Sequence, residues 1–131
     1  MIYKKISGEE YDNLQDISGA YLVLDSDGTK YWYFDDLCHR EDGPAIERTN
    51  GTKFWWIHGK RHRIDGPAAE WAGGSKEWWI HGERHCEDGP AVEWADGYKE
   101  WWIHGKEYET EEEWQIAIEQ LRIKEIKDQI V

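Results

Sequence analysis

GTKFWWIHGKRHRIDGPAAEW, residues 51–71, sets two tryptophans side by side, follows them with His-Gly, and then with Asp-Gly-Pro-Ala. The pattern returns at a fixed interval. Trp55-Trp56, Trp78-Trp79 and Trp101-Trp102 are spaced by 23 residues, and so are Gly43-Pro44, Gly66-Pro67 and Gly89-Pro90. His58-Gly59, His81-Gly82 and His104-Gly105 keep the same offset, as do His39, His62 and His85. A degenerate first unit begins near Gly28, with Trp32, His39 and Asp42 in register but Asp35-Asp36 where later units carry His-Gly. A period of this length marks a stacked array, in which each unit buries its apolar side against its neighbours. The units fall near 28–50, 51–73 and 74–96, with an incomplete one at 97–108.

Turn signals divide each unit. Asp27-Gly28, Asn50-Gly51, Gly73-Gly74 and Asp96-Gly97 on one side, and the His-Gly pairs on the other, supply the positive φ of tight hairpin turns. The expected fold is therefore mainly β, an antiparallel β-hairpin repeat meander over residues 21–108. One strand of each unit runs through Lys-x-Trp-Trp-Ile and the other through Gly-Pro-Ala, with Asp-Gly-Pro as a bend or bulge because proline has no ladder donor. Residues 1–20 are expected to form an N-terminal cap segment, with Ser7 and Glu10 as the capping box of a short helix. Residues 109–131 read as a C-terminal capping α-helix opened by Thr110 and Glu113, with apolar residues Trp114, Ala117, Ile118, Leu121, Ile123, Ile126 and Ile130, and Ile116 set apart. The whole of 1–131 is one domain on this reading.

Strand alternation explains the tryptophan doublet, since neighbouring side chains point to opposite faces. One face collects Trp32, Phe34, Trp55, Ile57, Trp78, Ile80, Trp101 and Ile103, and is expected to be core. The other collects Tyr33, Trp56, Trp79 and Trp102, preceded by Tyr31, Phe54, Glu77 and Glu100, and is expected to be more exposed. Burial of such rings is worth roughly 1.5–3 kcal/mol each, so something should cover the second row, either the C-terminal helix or a partner. Beside it the Gly-Pro-Ala strands repeat Glu47, Glu70 and Glu93. Their face is left open by the sequence, because a one-residue slip at the bend reverses it. Shared with the tryptophans, they would suit a cationic partner or a sugar.

The net charge of −12, with acid spread along the chain, removes the long-range attraction that phosphate binding uses, and favours a basic protein partner over nucleic acid. Two cysteines, Cys38 and Cys86, make no disulfide framework, and no run is apolar enough to span a membrane, so a cytoplasmic protein is expected. No motif for phosphate, dinucleotide or acyl chemistry occurs. His58 and His62, and His81 and His85 beside Cys86, have a metal-like spacing but are divided by a turn and lack further ligands, so no metal or cofactor is expected. The pairs His39 and Asp42, His62 and Asp65, and His85 and Asp88 resemble acid-base dyads. Their recurrence in every unit favours a structural ladder over a catalytic centre, and no catalytic residue is assigned.

The strings WWIHGKRHRIDGPA (55–68), WWIHGERHCEDGPA (78–91) and WWIHGKEY (101–108) resemble MORN-type repeats. The His-Arg-x-Asp-Gly-Pro-Ala form at 39–45 and 62–68 is similar to a subtype found in phage and mobile-element proteins, and the third copy departs from it at Cys86. The resemblance implies an elongated hairpin scaffold or protein-binding surface, not an enzyme. Small acidic phage-type proteins of this kind resemble inhibitors, anti-CRISPR or anti-restriction proteins among them, that occupy a basic groove. The expected function is thus a protein-binding module using Tyr33, Trp56, Trp79, Trp102, Glu47, Glu70 and Glu93. A carbohydrate- or small-ligand-binding module is the alternative, and a homodimer through the C-terminal helix is allowed.

Overall fold

The computed structural model describes residues 1–130 and is mainly β, with many antiparallel hairpin strands and one long C-terminal helix. Strand β1 (Lys4–Ser7) leads into the short helix α1 (Gly8–Asp12), followed by β2 (Ala20–Leu24) and β3 (Lys30–Phe34). After these the strands lie in the sheet in chain order, through Ile46–Glu47, Lys53–Phe54, Ala69–Glu70, Lys76–Glu77, Val92–Glu93, Lys99–Ile103 and Lys106–Tyr108. All pairings are antiparallel except the first, where β1 runs parallel to β2. The N-terminal segment is thus a strand as well as a capped helix.

Each Trp-Trp strand continues past the main sheet into a small hairpin: Trp56–Ile57 pairs with Lys60–Arg61, and Trp79–Ile80 with Glu83–Arg84. The turns between them place His58 and Gly59, and likewise His81 and Gly82, at positive φ, the geometry whose twist matches the flanking strands. Asp35 and Asp36 adopt it too in the first unit.

The returning strand is interrupted. Trp55 N–H donates to Ala68 O (2.8 Å) while His62 N–H donates to Trp55 O (3.1 Å), so residues 63–67 loop out between two ladder partners of the same tryptophan. Trp32 is bracketed in the same way by Ala45 and His39, and Trp78 by Ala91 and His85. The Asp-Gly-Pro segment therefore forms a protruding bulge in each unit, where a residue without an N–H leaves no gap in the ladder.

Side-chain burial follows the units and has no single centre. Ala45, Ala68 and Ala91 are wholly buried at the unit spacing, and Trp32, Phe54 and Val92 are buried beside them. The distinction expected between the two rows is not seen in the doublets, where Trp55, Trp56, Trp78, Trp79, Trp101 and Trp102 are all half-buried. Trp32 of the first row is buried and Tyr33 beside it half-buried, but Phe54 and Glu77, on the face expected to be more exposed, are buried too.

Both helices start as their sequences require. Ser7 Oγ accepts from Glu10 N–H (3.1 Å) and Glu10 Oε1 accepts from Ser7 N–H (3.2 Å), while Thr110 Oγ1 accepts from Glu113 N–H (3.2 Å). Helix α2 (Glu111–Ile130) packs Trp114 and Ile118 on Ile103, with Trp101, Tyr108, Ala117 and Leu121 around them. It caps the last strands and leaves the second tryptophan row uncovered.

Candidate interaction surface

Three ladders run across the units, and they decide which groups remain free for a partner. The first is made of histidines. His39, His62 and His85 each accept, at Nδ1, the backbone N–H of the turn histidine one unit on, His58, His81 and His104, at 2.9 Å in all three cases. The paired rings lie 4.1–4.5 Å apart. An Nδ1 that accepts must leave the ring proton on Nε2, which faces Glu41 from His39 (3.5 Å) and Glu87 from His85 (3.1 Å). Ile64 stands at the equivalent place for His62, whose pKa is lowered by burial and then by His81. The histidines do not bond to Asp42 or Asp65 as dyads would, because those carboxylates take arginines.

The second ladder belongs to the bulges. Arg40 lies over Trp32 at 4.0 Å and Arg63 over Trp55 at 3.9 Å. Arg63 Nε donates to Asp65 (3.1 Å), and its Nη1 donates to Pro67 O (3.0 Å) and Glu70 (3.2 Å), closing the loop on itself. Arg40 repeats this with Asp42, Pro44 O and Glu47. Glu47, Glu70 and Glu93 are also cross-strand neighbours of Lys30, Lys53, Lys76 and Lys99, an alternating row of charge.

The third ladder lies on the opposite face. Arg61 sits between Trp56 (5.5 Å) and Trp79 (5.4 Å), and Arg84 between Trp79 (5.2 Å) and Trp102 (5.1 Å). Arg84 also donates to buried Glu77 (3.1 Å), whose other oxygen accepts from Trp71 Nε1 (2.8 Å). Desolvation lowers the pKa of Arg61, with Glu77 opposing. At the N-terminal end Tyr33 is stacked on Tyr11 at 5.0 Å, and burial raises its phenol to about 12.

The expected binding set is therefore divided. Tyr33, Trp56, Trp79 and Trp102 share one face, where chain arginines and Tyr11 already contact the rings. Glu47 and Glu70 lie on the other face, held by Arg40 and Arg63, and cross-strand register puts Glu93 with them. The five-residue bulge resets the phase of the return strand, and that is why simple alternation did not place them.

What remains most exposed is the bulge ridge, although Asp42 and Asp65 in it also take Arg40 and Arg63. Glu41, Asp42, Asp65 and Asp88 have side chains between 75 and 98 % exposed, with Glu87 half-exposed among them. Ile64, at a bulge tip, is 85 % exposed. Between the first two bulges lies a groove of about 770 Å3, floored by Trp55, Ile57 and His62 and walled by Arg40 and Arg63. Sequence reasoning missed this ridge, although its signal was there, as Glu-Asp, Ile-Asp and Glu-Asp recur ahead of each Gly-Pro.

Among the described residues no group of His, Cys, Asp and Glu is arranged to hold a metal ion, and no helix is long and apolar enough to cross a membrane. Cys38 and Cys86 are unpaired and half-buried, and burial pushes the Cys38 thiol up to about 11. Comparison with known proteins finds no family model, no curated protein and no solved structure that matches this chain.

Proposed function

We propose that the chain is a MORN-like repeat module that binds a protein with a basic surface and carries no catalysis of its own. One observation supports this above the others: the carboxylates at successive bulge tips are exposed and recur at the 23-residue unit spacing, beside an exposed isoleucine and an aromatic-floored groove. Such a ridge attracts Lys and Arg at range and offers Ile64 as an apolar contact once docked. Phosphate would be repelled, so nucleic acid is not the direct ligand. The basic groove of a nucleic-acid-binding protein, which anti-CRISPR and anti-restriction inhibitors occupy, has the complementary chemistry. Unpaired thiols suit a cytoplasmic setting.

The test uses an immobilised arginine-rich peptide, with a neutral peptide as control. Binding is expected to weaken as salt rises from about 50 to 500 mM, because exposed charges are screened. Glu41→Lys with Asp88→Lys should slow association, and Ile64→Asp should speed dissociation. Salt-independent binding that survives the double reversal would overturn the reading. Retained binding to glycans under those conditions would favour the sugar-binding alternative.

A further inference from the structure

Helix α2 carries two apolar faces. Trp114, Ala117, Ile118 and Leu121 dock on the last strands. Ile116, Ile123, Ile126 and Ile130 fall on the opposite side of a 3.6-residue helix, and they are 58, 53, 57 and 79 % exposed. Every residue from 122 to 130 is exposed; Arg122 still donates to Glu87 O (3.2 Å) and stands 4.0 Å from Asp88, and the isoleucines beyond it lie outside the core cluster that docks the first half of the helix. Ile116, Ile123 and Ile130 recur every seven residues with Ile126 between the last two, the spacing of a seam between paired helices.

We infer that this isoleucine stripe pairs antiparallel with the same stripe of a second copy of the chain. The charge order along α2 selects that occupant and that direction. Its first turn carries Glu111, Glu112 and Glu113, and Glu119 follows. The second half mixes Arg122, Lys124 and Lys127 with Glu125 and Asp128, but at 3.6 residues per turn Lys127 borders the isoleucine stripe while Glu125 and Asp128 fall on the side of Trp114 and Ile118. With the helices antiparallel and centred near Ile123, Ile116 approaches Ile130 of the second copy, and Glu119 comes alongside its Lys127. A parallel alignment would set Glu119 against Glu119 and Lys127 against Lys127. Antiparallel helices also oppose their dipoles favourably. The acidic ridge lies on the bulges, not on this stripe; its third bulge meets α2 at Arg122, which donates to Glu87 O (3.2 Å), while Glu41, Asp42 and Asp65 on the first two bulges make no ion pair with the helix and stay available to a partner.

Light scattering on the full chain across a concentration series tests the inference. The expected mass is twice the 15.6 kDa of one chain. Ile123→Glu, at an exposed site, should keep the tryptophan near-ultraviolet signal and weaken association at least about hundredfold, since it removes two buried isoleucines per pair and adds charge. Glu119→Lys alone and Lys127→Glu alone should each weaken pairing, and the two changes in one chain should restore it. A parallel pair would not respond this way, because each single change leaves like facing like. A chain that stays monomeric up to about 1 mM, a dimer unmoved by Ile123→Glu, or single reversals without rescue would each overturn it.

Discussion

Arg63 seals its bulge by touching almost every group in it, and Cys86 occupies the same position one unit later with none of that reach. Trp78 consequently has no guanidinium over it, and the space beside Gly89 is open, whereas a Cβ on Gly66 would stand 2.9 Å from Arg63 Cζ. Two expectations follow from this contrast. Cys86→Arg should reproduce the fork with Asp88, Pro90 O and Glu93 and raise stability by about 1 kcal/mol, read as a melting temperature a few degrees higher. Gly66→Ala should lower the melting temperature by displacing Arg63, while Gly89→Ala should leave it unchanged or slightly higher. Equal effects at the two glycines would show that the arginine does not fill the bulge. Cys38 is the counterpart on the other face, standing in register with Arg61 and Arg84. Glu77 is the buried member of that face, at 3 % exposure, held between Trp71 and Arg84. Glu77→Ala leaves Arg84 without its carboxylate and is expected to cost about 3 kcal/mol in urea unfolding.

Seams between neighbouring hairpins depend on a neutral imidazole, because a protonated ring has no Nδ1 lone pair to accept with. His62 is the exposed point in this scheme, since Ile64 replaces the carboxylate that faces Nε2 in the flanking units. Its folded pKa lies below the unfolded 6.5, so below that value the unfolded chain takes the proton first. Stability is therefore present above about pH 6.5 and lost as pH falls toward the folded value. Wild-type urea midpoints should drop between pH 7.5 and 5.5, and Ile64→Glu should shrink that drop by supplying the missing acceptor. An unchanged pH slope in Ile64→Glu would remove His62 from this role. At this scale the sequence was informative wherever the cause was local: His-Gly turns, the Ser7 and Thr110 caps, and the proline bulges all depend on a few adjacent residues. Three features depended on distance and stayed hidden. The β1 pairing joins Lys4–Ser7 to residues far along the chain, the arginines between Trp56, Trp79 and Trp102 reach from one unit to the next, and the bulge shifts Glu70 to the face of Trp55.

Across the whole molecule, contacts run from each unit to the next, and the ends differ from the middle. Gly19 N–H donates to Asp35 Oδ1 (2.7 Å), which closes the first hairpin without an imidazole. At the other end Tyr108 stands where a further histidine would be in register, and it packs into the α2 cluster instead of accepting from another turn. Stability should then be nearly additive in units. Duplicating residues 51–73 between Thr52-containing and Ser75-containing units is expected to give a folded chain with a higher melting temperature, and a cooperative loss of structure would contradict the unit-to-unit account. The bulge ridge adds a geometric consequence. Each unit contributes two strands, so successive carboxylate tips are offset by roughly 10 Å. Seven residues of an α-helix advance by about the same length, which makes the ridge a ruler graded for cations one heptad apart. A partner whose arginines follow that interval meets every tip at once, and one with the same charge at another spacing meets only one.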